Sequence, residues 1–197
     1  MDNSGNRPIV LVHGLFRQAG VFGKLTQRLQ RSGRSVYAPN LIHRAGAIAL
    51  EEVAARVADY IDRTLTPEQS FDLVGLSMGG LVARYYLQRL GGLDRVERFV
   101  TISAPHHGTW MAYGLPRTNC LQMRPGSAFV RDLNRDADRL ARLDFTSIWT
   151  PWDFIIVPPS SSQMPMSRNI KLPIFAHAMM VRHPRSIEAV AEALECF

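Results

Sequence analysis

The chain has 197 residues, of which 46% are hydrophobic and 20% charged, with 14 Gly and 12 Pro. That size and balance suit one globular domain with a substantial core and exclude a disordered, collagen-like or coiled-coil chain. The net charge of +6 comes from 21 Arg and two Lys set against 17 acidic residues, without any basic run, so a nucleic-acid partner is not expected.

Short apolar runs alternate with longer amphipathic stretches, the signature of a parallel sheet covered by helices on both faces. The first run, residues 9–12, is apolar at every position, as a strand buried on both sides must be. The polar residues ahead of it carry no signal-peptide core, and no apolar stretch nears the ~20 residues of a membrane span, which points to a cytoplasmic protein. His13, Gly14, Leu15 and Phe16 follow that strand directly. The backbone amide of Leu15 is a candidate oxyanion donor there, with Phe16 sharing that role or lining the pocket, and His13 reads as a buried residue that holds the loop. A helix is expected over 22–31, then a short strand over 35–38 ending at Pro39. Over 50–65 a longer helix sets Leu50, Val53, Val57 and Ile61 on one face and leaves Glu51, Arg56 and Arg63 for water.

Residues 71–76 form the next strand and 81–90 the helix after it, and Gly75-Leu76-Ser77-Met78-Gly79 falls between them. G-x-S-x-G in that position is a sharp turn that holds its serine in a strained backbone, while the glycines let strand and helix approach closely. Such a turn projects Oγ above the carboxyl end of the sheet, at the start of a helix. Ser77 is therefore the candidate nucleophile and the amide of Met78 the second oxyanion donor.

Beyond the strand expected over 98–102, His106 and His107 read as loop-shaping or substrate-pocket residues, because they precede the expected acid. About forty residues separate this strand from the next, over 147–149, too many for a simple crossover. The insertion, 110–142, includes a helix expected over 128–143 and holds six Arg against three Asp. The insertion is the candidate cover of the active site: its Met111, Tyr113, Leu115 and Leu121 offer apolar surface to an acyl chain or to a packed helix pair, and its Arg residues allow transient contact with a lipid interface.

A nucleophilic serine needs a base and an acid to orient that base. Asp153 follows the strand over 147–149 and lies at the carboxyl edge of the sheet, whereas Asp144 precedes that strand and Asp138 belongs to the insertion. An Asx turn is the other use for an aspartate at this place. The last strand is expected over 170–175, with His177 two residues beyond it and His183 eight. A base must come within about 3 Å of the serine oxygen, which favours His177 in the short loop, with His183 in reserve. Ser186 is the expected N-cap of a final helix over 186–194. Cys120 and Cys196 have no zinc or redox spacing, and neither stands near these residues in sequence, so thiol reagents should spare the activity.

Together these residues are similar to the small bacterial lipases and esterases of the α/β-hydrolase fold. The resemblance runs through His13-Gly14-Leu15, Gly75 to Gly80, Thr101 to Thr109, Asp153 and His177. It implies a minimal α/β-hydrolase: one domain over 1–197, about six parallel strands flanked by helices, the insertion before the acid-bearing strand, and no large cap. It also implies a Ser77–His177–Asp153 triad and hydrolysis of small-molecule or lipid carboxylic esters through an acyl-enzyme. Because no carboxylate–histidine cluster has metal-ligand spacing and no Gly-rich phosphate loop is present, no metal or cofactor is expected. In that family an Asp followed by an apolar pair and Pro carries the acid, here Asp153 to Pro158. Two positions depart from the pattern: Leu76 stands where His is common before the serine, and Ala176 where Gly precedes the histidine. A thioesterase or acyltransferase of the same fold is the alternative reading, and a non-catalytic binding module the third.

Overall fold

The apolar runs pair side by side. In the computed structural model, which describes residues 7–41 and 48–195, β1 (Ile9–Val12), β2 (Val36–Tyr37), β3 (Phe71–Leu76), β4 (Val96–Ile102), β5 (Asp144–Trp149) and β6 (Arg168–Lys171) form one sheet. Every pairing is parallel, in the order β2-β1-β3-β4-β5-β6. The helices are α1 (Gly23–Arg31), α2 (Leu50–Thr64), α3 (Met78–Arg89), α4 (Thr118–Gln122), α5 (Ala128–Arg135) and α6 (Pro184–Leu194). Among the described residues no helix is long and apolar enough to cross a membrane.

Side chains alternate across each strand, so the sheet builds a core on each face. Val10, Val12, Leu73 and Phe99 join Val53 and Leu81 of α2 and α3. Ile9, Leu11, Val74 and Val100 join Leu25 and Val190 of α1 and α6 on the other face. The strand order reverses between β1 and β3, which lie in register with Val12 beside Gly75. Loops leaving two such strands diverge and open a crevice at their carboxyl ends.

Several boundaries differ from expectation for physical reasons. β6 ends at Lys171, not at 175, because Pro173 has no N–H to extend the ladder. As an edge strand it carries Arg168, Asn169 and Lys171 toward water and needs no apolar run. The helix expected over 128–143 breaks at Asp136, where α5 gives way to a 3-10 helix over Ala137–Arg142. Asp136 is drawn out of the helix by Arg89, whose guanidinium donates to both of its carboxylate oxygens at 2.8 and 3.0 Å. α6 begins two residues early, on Pro184, and its N-cap is His183, whose Nδ1 accepts from Arg185 N–H at 3.2 Å. Ser186, the expected cap, is buried inside the first turn.

The insertion is bolted to α3. Fully buried Arg84 donates to Asn134 Oδ1 at 3.0 Å, to Leu133 O at 2.7 Å and to His106 O at 3.3 Å. Gln88 adds a bond to Leu133 O at 2.8 Å, and Arg89 one to Asp132 at 2.9 Å. Burial pushes the Arg84 guanidinium down to about 9, and hydrogen bonding from Arg89 holds the Asp136 carboxyl at about 2. At the amino end of β3, fully buried Asp72 is met by the guanidinium of Arg34 and by those of Arg7 and Arg98, at 3.5 and 3.7 Å.

Candidate active site

The turn between β3 and α3 places Ser77 at φ 54° and ψ −124°, the strained conformation expected of a strand-to-helix elbow. Its neighbours leave no room for side chains. A Cβ on Gly79 would stand 2.2 Å from Val12 O, and one on Gly75 would stand 2.6 Å from Gly80 Cα. Glycine is thus required by the approach of α3 to β1 and β3. The Ser77 N–H donates to Ile102 O at 2.8 Å and Gly80 N–H to Ser77 O at 2.9 Å, which fixes the turn at the carboxyl edge of the sheet.

The loop after β1 faces this serine. A Cβ added to Gly14 would stand 3.1 Å from Ser77 Cβ and 3.6 Å from its Oγ, so the chain at Leu15 passes beside the hydroxyl. Phe16, at φ 56°, turns the chain sharply away and is mostly exposed. Met78 is the first residue of α3, so its N–H is one of the helix-start donors that lack an intrahelical partner. His13 is buried: its Nδ1–H donates to Gly14 O at 3.0 Å and its Nε2 accepts from Leu41 N–H at 3.1 Å. Burial lowers its pKa, and it holds the loop as a neutral ring.

Asp153 lies in the loop after β5 and is buried. Its Oδ1 accepts from Ile155 N–H at 2.9 Å and Ile156 N–H at 2.8 Å, while its Oδ2 accepts from His177 Nδ1–H at 2.8 Å. The residue is therefore both Asx-turn anchor and histidine partner. Burial alone would raise its carboxyl pKa, but the hydrogen bond and charge of His177 with the two amides outweigh it and leave the group below its ordinary value. The bond also keeps the proton of His177 on Nδ1 and leaves Nε2 as the basic nitrogen. Ala176, ahead of the histidine, sits at φ 71°, the left-handed region that glycine usually occupies.

Ser77 and His177 line one cavity of about 630 Å³, together with Leu15, Phe16 and Leu76. No hydrogen bond joins the two among the described residues; in sites of this kind that bond can close only around a substrate. The far wall comes from the insertion, through Met111, Ala112, Leu115, Cys120 and Met123. Cys120 thus reaches the site despite its distance in sequence, and burial raises its thiol pKa, which corrects the expectation that both cysteines stand apart from the site; Cys196 lies outside the described residues. His106 and His107, expected in the pocket, do not line it. His106 is fully buried with Nε2 against Thr101 Oγ1 at 3.1 Å and its ring edge-on to Phe145, and burial drives its pKa well down. His107 is exposed and meets Gln163 O at 3.2 Å. His183 caps α6 and is not among the cavity's lining residues.

Thr109 was the residue sequence reasoning passed over. Its hydroxyl donates to Ile155 O at 2.7 Å and accepts from Val157 N–H at 2.9 Å and Met111 N–H at 3.3 Å. It pins the insertion to the loop that carries Asp153. Only its place at the end of the Thr101 to Thr109 segment hinted at this.

A family profile described as palmitoyl protein thioesterase matches residues 8–152. The chain belongs to this family. The matched span includes the loop after β1 and the Ser77 elbow and stops one residue short of Asp153, so the acid and base rest on geometry. No curated protein matches the chain. Among solved structures, it resembles Aspergillus fumigatus lipase B with TM-score 0.83 and 21% identity over 96% of this chain, of which the chain spans about half, 52%. A mature Bacillus licheniformis lipase gives TM-score 0.76 and 14% identity over 98% of this chain and 93% of that one. A thermophilic esterase from Thermogutta terrifontis gives 0.70 and 18% over 96% and 90%. At these identities the likeness establishes the fold, a minimal α/β-hydrolase.

Proposed function

We propose that this member of the palmitoyl protein thioesterase family hydrolyses carboxylic esters through Ser77, His177 and Asp153. The observation that carries the reading is the 2.8 Å bond from His177 to buried Asp153, with His177 and Ser77 lining one cavity. His177 Nε2 takes the hydroxyl proton as Ser77 Oγ attacks the acyl carbon, and the oxyanion is held by the amides of Leu15 and Met78. Collapse of the intermediate breaks the bond to the leaving oxygen, which receives that proton from His177. Water then attacks the acyl-enzyme by the same steps, releasing the acid and restoring the serine.

The second reading replaces the leaving oxygen by sulfur, and the family match is compatible with it. The mechanism is unchanged, because the triad acts on the acyl carbon. In either case the wall of Met111 to Met123, tied at its start by Thr109, acts as a fixed acyl-binding surface and not as a moving lid. The test compares an oxygen ester and a thioester of one acyl chain, together with labelling by a serine-directed phosphonate. Turnover of either substrate with mass added to the Ser77 peptide is expected; no turnover and no label would overturn the reading. A steep rate increase as a triglyceride passes its solubility limit would overturn the fixed wall.

A further inference from the structure

The cavity has two chemically different walls, one for each core of the sheet. Ala112, Cys120 and Met123 belong to the α2–α3 side, and this wall is apolar. Val21 and Val181 pack with the α1–α6 side, and beside them Arg17 and Arg182 also line the cavity. Among the described residues no aspartate or glutamate lines it.

Several arginines elsewhere are matched by carboxylates, Arg28 by Glu188, Arg56 by Glu52 and Arg95 by Asp62, whereas Arg17 and Arg182 bring their charge to the rim of a cavity. Among the described residues no ion pair is formed by Arg17 or Arg182, and both are exposed. Their backbones are set by the turns that set the catalytic groups. Arg17 N–H donates to Gly14 O at 3.3 Å, in the turn that presents Leu15, and Arg182 N–H to Met179 O at 2.9 Å, in the turn that follows His177.

Mechanism decides which half of a substrate meets these two cations. In the proposed reaction the leaving atom receives its proton from His177, so the leaving half must lie along the His177 wall, while the acyl half lies along the apolar one. We propose that Arg17 and Arg182 form a receptor for a negatively charged group on the alcohol or thiol half of the substrate. The preferred substrate is then an anionic amphiphile: an apolar acyl chain joined to a leaving group that bears a phosphate or carboxylate. This rests on the ester-hydrolase reading for the orientation of the two halves.

The test measures binding separately from chemistry. Calorimetry on the Ser77→Ala protein would compare the hexanoyl esters of 4-hydroxybenzoate and 4-hydroxybenzamide, which differ in one charge and little in shape. The charged ester should bind about fivefold more tightly at low ionic strength, as two solvent-exposed charge contacts allow, and the advantage should shrink as salt rises from about 0.02 to about 0.5 M. Adding Arg17→Gln and Arg182→Gln should bring the two Kd values together, with binding of the neutral ester reporting an intact cavity. Dihexanoyl phosphatidylglycerol against its phosphatidylcholine counterpart forms a second pair. A preference confined to the lipids assigns the anion to a headgroup, and one in both pairs assigns it to any anionic leaving group. Equal Kd values in both pairs, or a preference that survives the double substitution, would overturn the proposal. Hydrolysis of neutral p-nitrophenyl hexanoate by the unaltered protein is the separate check on the parent reading. Turnover without charge preference sinks only the receptor, whereas charge preference without turnover sinks only the chemistry.

Discussion

Two aspartates are buried almost equally at opposite ends of the sheet, and their partners set them to different work. Asp72, at the amino end of β3, is surrounded by the guanidinium groups of Arg34, Arg7 and Arg98 and accepts from Arg98 N–H at 3.2 Å. A guanidinium has donors and no acceptor nitrogen, so it can bind a carboxylate but cannot take a proton from a substrate, and that cluster can only hold. Asp153, at the carboxyl end, meets an imidazole, which can gain and lose a proton and which lines the cavity. A buried carboxylate becomes chemical when its partner can titrate and a substrate can reach that partner.

Substitutions can break this contrast, beginning at the carboxyl end. Ser77→Ala and His177→Ala should each lower kcat/KM roughly 10⁴-fold with little change in Tm, and the double variant should be no worse, because the pair acts as a unit. His183→Ala should keep most of the activity, since that ring only caps α6. Steady-state kinetics on these four proteins checks the assignment, and a swap between the two histidines would move the base to His183.

The two aspartates themselves sharpen it. Asp153→Asn should cost about 10³- to 10⁴-fold in kcat through loss of histidine orientation. Asp72→Asn should instead cost about 3–5 kcal/mol of stability in urea unfolding, because it takes the carboxylate charge from buried Arg34, while the folded fraction keeps its kcat. If Asp72→Asn proved the more damaging to kcat, the division of labour would be wrong.

A third carboxylate gives the smallest effect. The Asp136 carboxyl is held at about 2 against an ordinary 3.8, chiefly by hydrogen bonds from Arg89. A depressed folded-state pKa adds stability that is full above the unfolded value and is lost as pH falls through the folded one. The loss should therefore run from about pH 4 to pH 2. Solvent reaches this pair, so about 1 kcal/mol is expected. Urea midpoints at pH 5 and pH 2 measure it, and Asp136→Asn should flatten that part of the difference.

Where local sequence decides local structure, the chain was legible. The fully apolar run at Ile9–Val12 and the run at Phe71–Leu76, apolar but for Asp72 and Gly75, became strands over those same residues, because burial on both faces leaves one solution. The Gly75 to Gly80 segment announced its turn through contacts only glycine permits. Asp153 and His177 could be paired from their places after successive strands, and they are hydrogen-bonded. What escaped depended on tertiary contact. His106 has the residue type of a pocket wall, yet its loop folds under Phe145. Cys120, Arg17 and Arg182 reach the cavity because the insertion, the loop after β1 and the turn before α6 meet at the end of the sheet, a placement that no periodicity encodes.

The Thr109 hydroxyl sets the borders of what can be exchanged in this scaffold. It bridges two stretches of chain 46 residues apart, and Trp110 N–H adds a bond to Val157 O at 2.9 Å beside it. The acyl wall and the strap that carries the acid are therefore a single part, although the sequence supplies them separately. A graft of 110–123 from a homologue, made to retune chain-length preference, would sever that joint and disturb the acid along with the wall. A graft that also carries residue 109 and the strap at 155–157 would transfer the joint whole, so recombination between relatives should succeed at those borders and fail inside them.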